Sequence, residues 1–100
     1  MSELWQFFKQ EYWDHFQQNV VENELPKNLN FFNELREISP FEEDVNRALA
    51  SMSPYMFKND IKNFEIWLNK KIPALNGKTP KEISKHEKGM DWMREFVLRS

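Results

Sequence analysis

Apolar residues recur along this chain with the period of a helix, and nowhere with the strict alternation of a strand. Leu4, Phe8, Tyr12, Phe16 and Val20 follow one another at four-residue spacing between Ser2 and Val21, flanked by Trp5 and Trp13, while Gln6, Lys9, Gln10, Asp14, Gln17 and Gln18 fall mostly elsewhere. The pattern predicts a first helix with that series as its inner stripe, Ser2 as its cap and Glu3 in its first turn. Trp5, Phe7, Phe8, Tyr12, Trp13 and Phe16 are too many aromatics for one face of one helix, so Phe7, Trp13 or Trp5 is expected at the surface or at an interface. The other arrangement left open is a central helix buried on two sides.

After Pro26 a second helix is expected over Lys27 to Glu37, with Leu29, Phe32, Leu35 and Ile38 inward and Phe31 beside them. Ser39-Pro40-Phe41-Glu42 predicts a third helix from Pro40 to Ser51: the Ser hydroxyl can accept a first-turn N–H, Pro has no donor to lose there, and Glu42 can reach back. Its buried set is Phe41, Val45, Ala48, Leu49 and Met52. Ser53-Pro54 opens a short turn through Phe57, and Asn59 or Asp60 caps a helix to Asn69 that carries Ile61, Phe64, Trp67 and Leu68. Thr79-Pro80-Lys81-Glu82 starts a short helix with Ile83. Gly89 separates it from a last helix with Met90, Met93, Phe96 and Val97 inward and Trp92 flanking.

The fold class is therefore all-α, a single small domain of about five to seven helices. A chain of 100 residues supports one core without staples. Residues 1–50 hold ten Asp/Glu against four Lys/Arg, a balance of −6, and residues 51–100 hold six against ten, a balance of +4. The seam falls near Ser51 to Pro54. It divides an acidic, aromatic-rich helical region (1–53) from a basic helical module (54–100), the two expected to share one compact domain.

The absence of cysteine excludes disulfides, thiolate metal sites and Cys nucleophiles. With no basic n-region before an apolar core at the N-terminus and no apolar run long enough to span a bilayer, the expected location is cytoplasmic and no membrane role is expected. Catalysis has no constellation to carry it. His15 and His86 lie far apart in sequence, Glu11 and His15 at i, i+4 suit a helix-surface pair, and Glu42, Glu43 and Asp44 suit the positive end of a helix dipole. No enzyme activity, no cofactor and no metal is expected.

The stretch from Trp67 to Pro80 is the most specific in the chain. Trp67-Leu68 ends a helix, Pro73 stiffens a connector, Ile72, Ala74 and Leu75 can pack within it, Gly77 permits a positive φ, and Thr79-Pro80-x-Glu82 fixes the next helix start. Together with Gly89, this order resembles the toxin-binding segment of the Xre/MbcA/ParS antitoxins, over residues 61–98. The resemblance implies a type II antitoxin, a protein–protein inhibitor that binds and neutralises a RES-type, NAD-consuming toxin in a toxin–antitoxin system. Of the positions that match, Trp67 and Leu75 are candidate partner-binding residues, and the basic character of the surface beside the loop adds Lys70, Lys71, Lys78, Lys81, Arg94 and Arg99. Residues 1–60 contain no recognition helix and are acidic, so operator binding is not implied.

A second expectation comes from charge: an inhibitor of a host defence complex, phage-encoded in the manner of an anti-CRISPR, that uses the acidic half as a nucleic-acid mimic. A third, direct nucleic-acid binding by Lys70, Lys71, Lys78, Lys81, Lys85 and Lys88, ranks lower because Glu82, Glu87 and Asp91 are interspersed among them and no arginine fork is present. The protein partner is thus a toxin enzyme or a defence complex, and a homodimer through exposed aromatics stays open.

Overall fold

An unusual helical turn sets the course of the N-terminal third. The computed structural model of the protein describes residues 8–100; Ser2, Leu4, Trp5 and Phe7, expected on the first helix, lie outside the described residues. Helix α1 (Gln10–Phe16) runs without a break into a π-helical turn at Gln17–Val21 and a last α-helical turn, α2 (Glu22–Glu24). At the π turn the Glu22 N–H reaches back to the Gln17 carbonyl, one residue farther than in an α-helix. The wider turn takes up an additional residue, so the inward face held by Trp13 is resumed at Val21 rather than Val20.

This corrects the expected stripe. Tyr12 is 57% exposed and Val20 also faces out, whereas Trp13, expected at the surface, is 3% exposed. Trp13 stacks on Phe16 with ring centroids 5.8 Å apart, and its indole N–H donates to Asp44 Oδ2 at 3.1 Å. The bond gives the polar edge of this buried indole a partner.

A 3-10 turn at Leu25–Asn28 places Pro26 in its first turn, where its missing N–H costs nothing, and α3 (Leu29–Ile38) follows. Phe31, Phe32 and Leu35 are buried on one arc of α3. Leu29 and Ile38, expected inward, are exposed: they are the first and last residues of α3, beyond the buried middle turns.

Helix α4 (Glu43–Ser51) begins three residues later than the Ser-Pro signal predicts. Ser39 Oγ accepts from the Phe41 N–H at 3.1 Å and donates to the Asn46 side-chain oxygen, so it ties down a turn ahead of the helix instead of capping it. Helix α5 (Ser53–Met56) is short. Asp60 then caps α6 (Ile61–Leu68) by accepting the Lys62 N–H at 2.9 Å, a contact of about 1 kcal/mol. Helices α7 (Pro80–Ser84) and α8 (Gly89–Arg99) complete the chain. A Cβ at Gly89 would lie 1.9 Å from the Ile83 carbonyl oxygen, an approach of α7 to α8 that no other residue permits.

One aromatic network joins the two charge halves. Phe31 stacks on Phe57 at 5.8 Å, Phe57 meets Phe64 and Trp67 at 5.3 Å each, and Trp67 meets Phe41 at 6.2 Å and Phe96 at 6.1 Å. Because α3 packs on α6, and α1 and α4 pack on α8, the seam near Ser51 is a change of surface charge and not a gap in the core. The described residues form one all-α domain in which six helices, α1, α3, α4, α6, α7 and α8, have five or more residues. No strand occurs among them.

Candidate functional site

The connector between α6 and α7 closes on itself through its own backbone. The Ile72 N–H donates to the Lys78 carbonyl at 3.1 Å, an isolated antiparallel bridge, and the Gly77 N–H returns to the Ile72 carbonyl at 3.0 Å. Inside that ring a 3-10 turn, Pro73–Leu75, is fastened by the Leu75 N–H to Ile72 at 2.9 Å, Asn76 to Pro73 at 3.0 Å and Lys78 to Leu75 at 3.1 Å. Asn76 and Gly77 both take positive φ, +58° and +76°, which is the reversal the ring needs and the reason a glycine stands there. Leu75 is fully buried and pins this elbow to the core.

The elbow ends in the capping box that its sequence predicts. Thr79 Oγ1 accepts the Glu82 N–H at 3.1 Å and Glu82 Oε1 accepts the Thr79 N–H at 3.2 Å. That backbone hydrogen bond, then the Thr79 hydroxyl, then the positive charges of Lys78 and Lys71 hold the Glu82 carboxyl below the usual carboxylate range. Lys70, Lys71, Lys78 and Lys81 are all exposed, so the elbow carries a basic surface on a fixed backbone.

Two of the expected partner-facing residues belong elsewhere. Leu75 is interior and offers no surface. Arg94 is only 17% exposed along its side chain: its Nε donates to Asp44 Oδ2 at 2.9 Å, its Nη1 to Asp91 Oδ1 at 2.8 Å and its Nη2 to Glu42 Oε2 at 3.1 Å. Burial alone would lower its pKa, but the bond and charge of Asp44, with Asp91 and Glu42, more than offset this and raise it. Arg94 is the clasp between α8 and the start of α4. Arg99 is exposed and pairs with Glu95, a nearly buried carboxylate. Trp67 lies half-buried among Phe41, Phe57, Phe64 and Phe96, so its role is first that of a core ring.

The same arginine alters the reading of the acidic cluster. Glu42 and Asp44 bind Arg94, and Glu43 binds Arg36 at 3.1 Å, so these carboxylates join helices in addition to any effect on the dipole of α4. Among the described residues neither histidine is paired with a nucleophile: His15 Nδ1 lies 3.1 Å from the Asn19 amide nitrogen, and His86 Nδ1 accepts the Lys88 N–H at 3.1 Å. Glu11 and His15 do not pair. Among the described residues no group of three His, Asp or Glu side chains is placed to hold a metal ion, and no helix is long and apolar enough to cross a membrane.

No family model matches the chain, and no curated protein or solved structure is found to match it.

Beside the elbow is a surface feature that the helical pattern did not single out. Met56, Lys58, Asn63, Ile66, Trp67 and Lys70 line an open groove of about 310 Å³ between α5 and α6. Ile66 is 65% exposed and Tyr55, one position before Met56, is 84% exposed. A signal was available in the sequence: Ile66 is apolar yet falls outside the inward series Ile61, Phe64, Trp67 and Leu68, which marks it as an outward hydrophobe on an amphipathic helix.

Proposed function

We infer that this protein is a non-catalytic inhibitor that docks on another protein through the basic elbow face of its C-terminal half. The observation that carries this reading is the self-bonded elbow. Its backbone hydrogen bonds are satisfied internally and Leu75 is seated in the core, so Lys71, Lys78 and Lys81 stand on a surface that has little conformational entropy left to lose on binding. A basic surface on a self-bonded backbone suits recognition of an acidic protein surface and the fast encounter that opposite charge favours.

The resemblance of residues 61–98 to the toxin-binding segment of the Xre/MbcA/ParS antitoxins supplies the class of partner: a RES-type toxin that consumes NAD. The chain would then act as the antitoxin of a toxin–antitoxin pair. Nucleic-acid mimicry by the acidic half is less well supported, since Glu42, Glu43 and Asp44 are partly neutralised by Arg94 and Arg36 and do not form an unopposed row of negative charge. The experiment is to measure NAD consumption by a RES-type toxin from the same source with increasing amounts of the full chain. Loss of consumption at one equivalent, restored in a Lys78→Glu, Lys81→Glu variant, supports the reading; undiminished consumption at tenfold excess removes it. Competition of the chain with nucleic acid for a nucleic-acid-binding enzyme would favour the mimic instead.

A further inference from the structure

The groove between α5 and α6 has a composition that the elbow does not share. Its apolar lining is Met56, Ile66 and Trp67, and its two charged lining residues are both cations, Lys58 and Lys70; no carboxylate lines it. Lys62 lies one helical turn before Ile66 on the same side of α6. None of these three lysines makes an ion pair among the described residues, whereas Arg36, Arg94 and Arg99 all do. A volume of about 310 Å³ is at the lower limit of ligand clefts, roughly 300–1,000 Å³. That is room for one or two side chains and not for a cofactor.

The backbone at Lys58 is the second, independent observation. Lys58 and Asn59 take consecutive left-handed conformations, φ +53° and +56°. The turn is held by the Phe57 N–H to the Ser53 carbonyl at 2.9 Å, the Asp60 N–H to the Phe57 carbonyl at 3.0 Å, and Asn63 Nδ2 to the same Phe57 carbonyl at 2.9 Å. Asparagine tolerates this region and glycine prefers it, but a lysine is strained there. Stability alone would place a glycine at position 58. The residue present instead puts an ammonium group on the rim of the groove, and strain kept at such a place points to the side chain's use.

We propose that the groove lined by Met56, Lys58, Asn63, Ile66, Trp67 and Lys70 is a docking site for an acidic segment of the partner protein that inserts one large apolar side chain between flanking carboxylates. The apolar side chain covers Ile66 and Met56, and the carboxylates pair with Lys58 and Lys70. A nucleic-acid strand fits less well. The Trp67 ring is already packed against Phe41, Phe57, Phe64 and Phe96, with Phe64 stacked on it, so a base would have to compete with these rings to stack there. This site deepens, and rests on, the reading of the chain as a protein-binding inhibitor, to which it adds a second contact beside the elbow.

The test is an NMR titration of the full, isotope-labelled chain with three probes: the peptide acetyl-Asp-Glu-Leu-Phe-Glu-Asp-amide, the same peptide with lysine in place of each acid, and a six-nucleotide thymidine strand. The acidic peptide is expected to shift the amides of Lys58, Asn63, Ile66 and Lys70 and the Trp67 indole, and the basic peptide to leave them in place. Ile66→Asp, at an exposed position, and Lys58→Gly should each weaken the acidic peptide by about tenfold or more. Lys58→Gly should do so while melting no lower than the parent, a combination that a merely structural lysine would not give. Shifts that map elsewhere, equal response to the basic peptide, or tighter binding of the thymidine strand at the same residues would overturn the proposal. A chain that fails these titrations yet still suppresses NAD consumption loses the groove and keeps the inhibitor; one that takes the acidic peptide but leaves NAD consumption unchanged keeps the groove and loses the toxin.

Discussion

Positive charge is used in two different ways on the two sides of this molecule. Where α8 meets α4, and along α3, two arginines are spent on carboxylates of the chain itself: Arg94 on Glu42, Asp44 and Asp91, and Arg36 on Glu43. From Lys58 to Lys81 it is lysine, on exposed and backbone-fixed positions, and no ion pair joins these lysines to a carboxylate among the described residues. A planar fork that makes several bonds at once suits the first task, and a compact, hydrated point charge on a flexible stem suits the second. The C-terminal half owes its basic face to the fact that the arginine clasp is turned inward and the lysines are not.

That contrast can be broken most severely at the elbow's root. Leu75→Ala would leave a cavity under the lysines and should cost on the order of 3 kcal/mol in chemical denaturation. Removing the clasp comes next. Arg94→Ala leaves Asp44 and Asp91 without their cation, and because those carboxylates are partly in water the loss should be about 1–3 kcal/mol, read from the same denaturation curves. If Arg94 were a partner contact, as its sequence suggests, the variant would instead keep its stability and lose binding.

The reason the clasp is invisible in the sequence is distance along the chain. Arg94 and Asp44 are 50 residues apart, and nothing local to the last helix separates an arginine that turns inward from one that turns out. Local chemistry, by contrast, is legible: the Thr79–Glu82 capping box, the Asp60 cap and the positive φ at Gly77 all follow from residues within a few positions of one another. The inner stripe of the first helix fails for a third reason. Four-residue spacing presumes one pitch throughout, and the π turn at Gln17–Val21 changes it, so that with Trp13 inside the inward face resumes at Val21 and not Val20; Trp13 itself, ahead of that turn, is drawn in by its stacking on Phe16 and its bond to Asp44. The groove beside α6 does not show in the inward pattern because Ile66 has no place in it, even though an outward isoleucine is itself a signal.

Smaller effects sharpen the comparison. Lys78→Glu with Lys81→Glu should change stability by about 0.5 kcal/mol or less, as surface substitutions do, and any effect on inhibition is then an effect on the partner. The least of the expected effects is the acid titration of the capping box. Glu82 gives up its proton more readily folded than unfolded, so the stability it contributes is present above the ordinary value of 4.5 and is lost as the pH falls through its lower folded value. Glu82→Gln should therefore flatten the stability curve below that pH and leave it shaped as before at neutral pH, in a comparison of denaturation midpoints across the acid range.

The lysines can serve as a docking face only if the elbow is rigid before any partner arrives. Amide hydrogen exchange of the free chain tests it directly at Ile72, Leu75, Gly77 and Lys78, whose N–H groups close the ring. Exchange at these four is expected to be slowed by about 100-fold or more relative to an open peptide, close to the protection of α6 and α8. Exchange at open-chain rates there, with the helices still protected, would contradict it.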